Sequence, residues 1–191
     1  MGWTLNHRGW YGASWVLLVL SVTANYALLA HNWSLRRRVV FMSEEGRLAE
    51  GKILETADMR SMHGEMRSIK LNGSDRRTII YILNPSCSWS NRNLRNINAL
   101  AQAQPGYQVI GVSTTCNGLA GFVKERTPRF EVFCDPIGPA SLLKYGGTPQ
   151  TAVLDRTGKV VKYWSGAFNS ITQPEVERFF NTKLPGLSEG Q

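Results

Sequence analysis

The sequence predicts an α/β domain, and three features support this fold class. From about residue 55 onward, segments with strand patterns alternate with segments of helical periodicity. Residues 78–83 and 109–112 are continuous apolar runs, which are typical of strands buried on both faces of a sheet. Near the end of the chain, two apolar segments flank the turn signal at residues 155–158 and predict a hairpin.

The individual elements follow from these patterns in chain order. Residues 66–71 alternate in strand fashion and stop at Asn72-Gly73, a turn signal. Leu94, Ile97 and Leu100 recur at helical spacing and stop before a Pro-Gly pair. The predicted strands are residues 66–71, 78–83, 109–112, 129–134, 151–154 and 160–164, and the further predicted helices are residues 119–125, 139–145 and 173–180.

The N-terminal segment has a different character, because no Lys, Arg, Asp or Glu occurs from residue 9 to residue 35. A helix over its apolar centre would be about 32 Å long, close to the hydrocarbon thickness of about 30 Å. Trp10, Tyr11 and Trp33 bracket the segment, as interfacial aromatic residues do. We therefore expect a transmembrane helix at residues 10–31, and the alternative is a cleaved signal peptide.

These patterns divide the chain into five parts. They are an N-terminal tail (1–9), the transmembrane anchor (10–31), a juxtamembrane spacer of mixed charge (32–54), the α/β domain (55–183) and a C-terminal tail (184–191). Three consecutive arginines at residues 36–38 follow the anchor, whereas only Arg8 and the terminal amine precede it. Counted literally, the positive-inside rule favours a cytoplasmic location for the domain.

The composition excludes some functions and leaves others open. The net charge is +8, but residues 1–43 contain four arginines and no acidic residue, so the rest of the chain is nearly balanced. Its basic residues are scattered rather than aligned along a helix, and we expect no nucleic-acid partner. The three cysteines are too few for a disulfide framework, and their odd number leaves at least one thiol free or paired outside the chain.

Cys87 lies where the apolar strand at residues 78–83 gives way to a helical pattern. A sulfur at a helix N-terminus meets unpaired backbone N–H groups and the positive end of the helix dipole, and both favour the thiolate. Ser90 occupies the position where a redox Cys-x-x-Cys pair has its second sulfur, and its hydroxyl can donate a hydrogen bond to the first. The sequence therefore predicts a reactive thiol that lacks its usual resolving partner, with an inert buried cysteine as the alternative.

The predicted elements follow the order strand, helix, strand, helix, strand, hairpin and helix. Three segments stand out within this order: Pro85 to Ser90 (Pro-Ser-Cys-Ser-Trp-Ser), the Thr148-Pro149 pair, and residues 152–158 (Ala-Val-Leu-Asp-Arg-Thr-Gly). In this combination the chain resembles the membrane-anchored thiol-disulfide oxidoreductases of the TlpA/ResA redoxin group, over residues 55–183. The resemblance implies a thioredoxin-like three-layer fold with a central mixed sheet. It also places the domain at the periplasmic face of the inner membrane, and we follow it here against the arginine count.

By the same resemblance, Cys87 is the attacking cysteine and Pro149 is a cis-proline. Thr148 then offers backbone hydrogen bonds to an extended substrate chain. Trp89 sits between two serines at the start of the predicted helix, a position that favours shielding of the sulfur or contact with a partner over burial in the core. Ser90 departs from the pattern, because an internal Cys-x-x-Cys disulfide cannot form. This departure favours monothiol exchange with a protein or small-thiol disulfide, completed by an external thiol reductant.

Other functions and site types are less well supported. A non-catalytic module that holds a partner chain in the groove between Cys87 and Pro149 is the alternative function. Ile80 and Asn84 stand where a peroxiredoxin has its Pro and its Thr or Ser, and no histidine follows Cys87. We therefore expect no metal and no cofactor. Cys116 and Cys134 each fall at or just past the end of a predicted strand, so they could form a disulfide if those strands are parallel neighbours.

Overall fold

The computed structural model of the chain describes residues 18–32, 48–137, 143 and 146–188. The chain divides into two compact units, with the boundary between Glu45 and Gly46. In the first unit, residues 18–32 form a helix, α1, whose apolar side chains are exposed. None of the helices in the described part of the chain has the length and apolar character that crossing a membrane requires.

The second unit is built on a mixed sheet of seven strands. The strands are β1 (Thr56–Arg60), β2 (Met66–Lys70), β3 (Arg77–Leu83), β4 (Tyr107–Ser113), β5 (Glu131–Ile137), β6 (Gln150–Leu154) and β7 (Val160–Ser165). The helices of this unit are α2 (Ser88–Ala103), α3 (Leu119–Arg126) and α4 (Gln173–Phe180). The strand order is β2-β1-β5-β4-β3-β6-β7, with β3 parallel to β4 and antiparallel to β6.

The central strand β3 is buried on both faces of the sheet. Its residues Ile79, Tyr81 and Leu83 pack with apolar side chains of α2, α3 and α4, whereas Ile80 and Ile82 belong to a second cluster on the other face. Successive side chains of a strand point to opposite faces, so a continuous apolar run fits this position. The runs at residues 78–83 and 109–112 are therefore confirmed as inner strands.

The second core cluster also contains residues from the segment before β1. Leu48 and Leu54 are 1% and 2% exposed, and the Leu54 N–H donates to the Gly158 carbonyl at 2.9 Å. The sequence places the start of the domain at residue 55, whereas the compact unit begins at Gly46. Of the helix predicted at residues 139–145, only Leu143 is described, and it is fully buried.

Two strands differ from the prediction. The sequence pattern gave no strand at β1, and it placed β5 at residues 129–134 instead of Glu131–Ile137. β1 pairs with β2 and with β5, both antiparallel, and its pairing with β5 shifts register between Asp58 and Arg60. The other strands, and the helices α2, α3 and α4 of the described residues, lie within a few residues of their predicted positions.

Candidate functional site

The turn between β3 and α2 places Cys87 at the N-cap of α2. β3 ends at Leu83, and the Asn84 carbonyl accepts a hydrogen bond from the Cys87 N–H at 2.9 Å. The Cys87 backbone is extended, with φ −87° and ψ 115°, as is typical of an N-cap residue. Its carbonyl accepts the first helical hydrogen bond, from the Asn91 N–H at 3.1 Å. The side chain of Cys87 thus projects at the end of the helix where the backbone N–H groups lack helical partners.

The loop before β6 supplies the opposite side of the site. Gln150, the first residue of β6, lies opposite Ile82 of β3, so the residues just before it reach the carboxyl end of β3. The Thr148–Pro149 peptide bond is cis. The Cys87 Sγ lies 3.2 Å from the Thr148 carbonyl oxygen, to which the protonated thiol donates. Residues 61 positions apart in the chain therefore form the immediate surroundings of the sulfur.

The Cys87 sulfur is partly buried and is the free thiol among the three cysteines. Burial alone raises the pKa of the thiol. Hydrogen bonds from the side chain of Thr148, the backbone and side chain of Ser90 and the backbone of Trp89 outweigh that effect, so the pKa of Cys87 lies below its ordinary value. Donors that converge on a sulfur at a helix start favour the thiolate, which is the nucleophilic form.

Ser90 lies behind the sulfur and is fully buried. Its hydroxyl helps to lower the pKa of Cys87, and it accepts a hydrogen bond from the Asn84 N–H at 3.3 Å. The position that would hold a resolving sulfur is thus occupied by a hydroxyl that joins the helix start to the end of β3. The Ser90 hydroxyl stabilises the thiolate but cannot form a disulfide with it.

Tyr81 and Asn93 are buried polar residues of the site that the sequence did not single out. The Tyr81 hydroxyl donates to the Ser90 carbonyl at 2.8 Å, and burial raises its pKa, so it stays protonated as a donor. The Asn93 Oδ1 accepts from the Phe168 N–H at 3.1 Å, which fixes the loop after β7 to α2. A tyrosine inside an apolar strand run was the available signal, because a buried Tyr hydroxyl usually has a hydrogen-bond partner.

A groove of ≈ 230 Å³ lies beside the cysteine. It is lined by Trp89, Thr148, Pro149, Ser165, Gly166, Ala167 and Asn169. The sequence points to the first three of these residues, but it gives no signal for the wall formed by the end of β7 and the loop that follows it. The Trp89 side chain is 49% exposed, so a large apolar surface remains open next to the thiol.

Comparison with solved structures identifies the fold. The thioredoxin domain of a thiol-disulfide oxidoreductase from Bacteroides vulgatus matches with a TM-score of 0.55 and 17% identity, over 70% of this chain and 99% of that chain. A Chlorobium tepidum protein described as the thiol:disulfide interchange protein DsbE matches with a TM-score of 0.55 and 20% identity, over 70% and 97%. A peroxiredoxin-like protein from Aquifex aeolicus matches with a TM-score of 0.55 and 14% identity, over 71% of this chain and 87% of that chain.

The second compact unit of this chain has a thioredoxin-like fold. No protein-family model and no curated protein matches the sequence. The structural neighbours include thioredoxin-fold thiol-disulfide oxidoreductases.

Cys116 and Cys134 form a disulfide in the thioredoxin-like domain, with a Cα–Cα distance of 5.2 Å. Cys134 lies on β5 opposite Ser113, the last residue of β4, and Cys116 follows in the loop after β4. The two cysteines therefore meet because β4 and β5 are parallel neighbours. The same loop carries Thr114, whose hydroxyl oxygen accepts a hydrogen bond from the Asn84 side chain at 3.1 Å.

The disulfide leaves Cys87 without a second thiol in its own chain, because Cys116 and Cys134 are bonded to each other. Within the described ranges of the thioredoxin-like domain, no group of three or more His, Cys, Asp or Glu residues could hold a metal ion.

Proposed function

We propose that this chain is a thiol-disulfide oxidoreductase that acts through Cys87 by monothiol exchange. The observation that carries the proposal is the position of the Cys87 sulfur at the start of α2, where burial raises the pKa but hydrogen bonds from Thr148, Ser90 and Trp89 lower it by more. The thioredoxin-like fold of solved thiol-disulfide oxidoreductases supports the same chemistry. The open groove at Trp89 and Pro149 provides space for a substrate next to the nucleophile.

The proposed reaction has two exchange steps at Cys87. In the first, the Cys87 thiolate attacks one sulfur of a substrate disulfide, a Cys87–substrate disulfide forms, and the other substrate sulfur leaves as a thiolate. In the second, an external thiolate attacks the substrate sulfur of the mixed disulfide, so an external-thiol–substrate disulfide forms and Cys87 leaves as a thiolate. A second external thiolate then attacks the external sulfur of that disulfide and releases the remaining substrate thiolate, so two external thiols become one disulfide and two electrons pass to the substrate. The hydrogen-bond donors of Trp89 and Ser90 that lower the pKa of Cys87 stabilise its thiolate in both steps, as the nucleophile in the first and as the leaving group in the second.

Ser90 determines which thiol completes the reaction. Because its hydroxyl fills the place of a resolving sulfur and the other two cysteines are paired, the chain cannot release the mixed disulfide from within while that pair is intact. The proposed partners are therefore a protein or small-thiol disulfide as substrate and an external thiol as reductant. We expect the mixed disulfide to be long-lived in the absence of added thiol.

The pH dependence of Cys87 alkylation tests the proposal. We expect the rate of iodoacetamide labelling to rise with pH to a midpoint below about 8.5, the ordinary pKa of a free thiol. Labelling should be lost in Cys87→Ser, which controls for other sites of reaction. In Ser90→Ala the midpoint should move upward, because one hydrogen bond to the thiolate is removed. A slow thiol with a midpoint at or above the ordinary value would instead support a module that only binds a partner in the groove.

We also propose that residues 10–31 anchor the protein in the inner membrane, with the thioredoxin-like domain on the periplasmic side. The described part of this segment is helical, and its Asn25 side-chain amide donates to the Ser21 carbonyl at 2.8 Å. An amide that is hydrogen-bonded within its own helix costs less to place in lipid than an unpaired one. The Cys116–Cys134 disulfide supports an oxidising compartment.

This location can be tested in bacterial cells that produce the full chain. We expect the protein to remain in the membrane pellet after a carbonate wash, and the domain to be cleaved when protease is added to spheroplasts. Recovery in the soluble fraction would contradict the anchor. Protection from the added protease, with digestion after lysis, would contradict the periplasmic orientation.

A further inference from the structure

The distribution of charge on α2 is unfavourable for the helix itself. Arg92 and Arg95 are the charged residues of this sixteen-residue helix, which contains no acidic residue. Both arginines lie in its N-terminal half, where the helix dipole is positive and favours negative charge. Their placement therefore lowers the stability of the helix, and it raises the positive electrostatic potential near Cys87.

Arg92 is also held in place by the C-terminal segment. Its Nε donates to the Ser188 carbonyl at 2.8 Å, and its own carbonyl accepts a hydrogen bond from the Ser188 N–H at 3.1 Å. The Arg92 Cζ lies 4.7 Å from the centroid of the Trp89 ring. A guanidinium that stacks on an aromatic face keeps its terminal N–H groups available at the edge of the stack.

The arrangement brings a cation to the rim of the groove. Trp89 is one of the groove residues, and none of the described residues that line this groove carries a charged side chain. In the described part of the chain, the Arg92 guanidinium forms no ion pair. Arg92 lies five positions after Cys87, which is about 7.5 Å along the helix axis. The Cα atom of a residue next to a substrate cysteine lies about 3.8 Å from that of the cysteine, and its side chain and that of Arg92 must cover the rest of the distance.

We propose that Arg92 is a specificity-determining residue that selects disulfides carrying a carboxylate next to the reacting cysteine. The inference rests on the proposed function, because it concerns the substrate of Cys87. The same carboxylate chemistry occurs in acidic polypeptide segments and in glutathione. Ser188 acts as a positioning residue, since its contacts hold Arg92 where its guanidinium stacks on Trp89.

The test uses the full chain and short peptides whose cysteine forms a mixed disulfide with 2-thiopyridone. The Cys87 thiolate attacks the peptide sulfur, the peptide–Cys87 disulfide forms, and thiopyridone leaves with the electron pair and is followed by absorbance. The peptides differ only in the residue beside the cysteine, which is Glu, Gln or Lys. At low salt we expect Glu to react about threefold faster than Gln, and Lys about threefold slower, as for exposed ion pairs. The glutathione mixed disulfide is a separate arm that measures the small-molecule source.

Matched variants assign the preference to Arg92. In Arg92→Gln the preference for Glu over Lys should fall to less than about threefold, whereas Arg95→Gln should keep the wild-type preference. The preference should also weaken at high salt, because exposed charges are screened. Equal rates for the three peptides, or an equal loss in Arg95→Gln, would overturn the inference while leaving the exchange reaction intact. If no peptide formed an adduct with Cys87, the proposed function itself would fail.

Discussion

Replacing Ser90 with cysteine is expected to shorten the lifetime of the mixed disulfide at Cys87 by about a hundredfold or more. Position 90 follows Cys87 by three residues at the start of the same helix, and its side chain helps to lower the pKa of the Cys87 thiol, so a sulfur there can attack the Cys87 sulfur and expel the substrate thiolate. Release of the substrate then becomes an intramolecular reaction, in which the effective concentration of the attacking thiol is far above that of an added thiol. The measurement is the decay of a preformed peptide–Cys87 adduct after removal of external thiol, followed by mass spectrometry.

Ser90→Ala is the matched control for this experiment. It removes the hydroxyl without adding a sulfur, so its adduct should persist like that of the wild-type chain until thiol is added. Equal lifetimes in the cysteine and alanine variants would show that position 90 cannot reach the mixed disulfide. Rapid release from the wild-type chain without added thiol would contradict the monothiol mechanism itself.

Removing the Cys116–Cys134 disulfide with the Cys116→Ala/Cys134→Ala pair is expected to lower the free energy of unfolding by about 3 kcal/mol. The two residues are 18 positions apart, and a cross-link of that span restricts the unfolded chain by about this amount in the chain-entropy model. The midpoint of thermal unfolding should fall by about 10 °C. Urea and thermal unfolding of the two proteins under oxidising conditions measure the difference.

A reductant provides the control for the disulfide prediction. Under reducing conditions the wild-type chain should lose most of its advantage, because both proteins then lack the cross-link. Cys134 is 2% exposed, so a smaller cost of truncating a buried side chain should remain. A difference between the two proteins that is the same with and without reductant would show that side-chain packing, and not the cross-link, stabilises the domain.

The sequence predicts the central strands β3 and β4 well, but it misses β1 and misplaces β5. β3 and β4 are continuous apolar runs, and such runs are strong signals because both faces of the strand are buried. β1 has only two buried apolar residues, Ala57 and Met59, and its partner β5 is distant in sequence. β5 continues through Asp135 and Pro136, residue types that are depleted in strands. Pairing with strands that are distant in sequence therefore determines where β1 and β5 form.

The same distinction applies to the candidate site. A local pattern places Cys87 at the start of α2, and resemblance points to Pro149, because each depends on residues close by in sequence. The structure adds the Tyr81 hydroxyl under Ser90 and the groove wall after β7. It also adds the contact between Arg92 and Ser188, two residues 96 positions apart. Contacts of this range depend on the assembled fold and leave no periodic trace in the chain.

The sheet order has a consequence for how the domain is assembled during translation. β1 and β2 emerge first from the ribosome, yet Arg60 of β1 lies opposite Cys134 of β5. At a translation rate of at most about 20 residues per second, Cys134 follows Arg60 by at least about four seconds. An isolated two-stranded hairpin is only marginally stable in water. β1 therefore lacks its partner β5 until the second half of the domain has been synthesised, and its unpaired edge needs protection during that time.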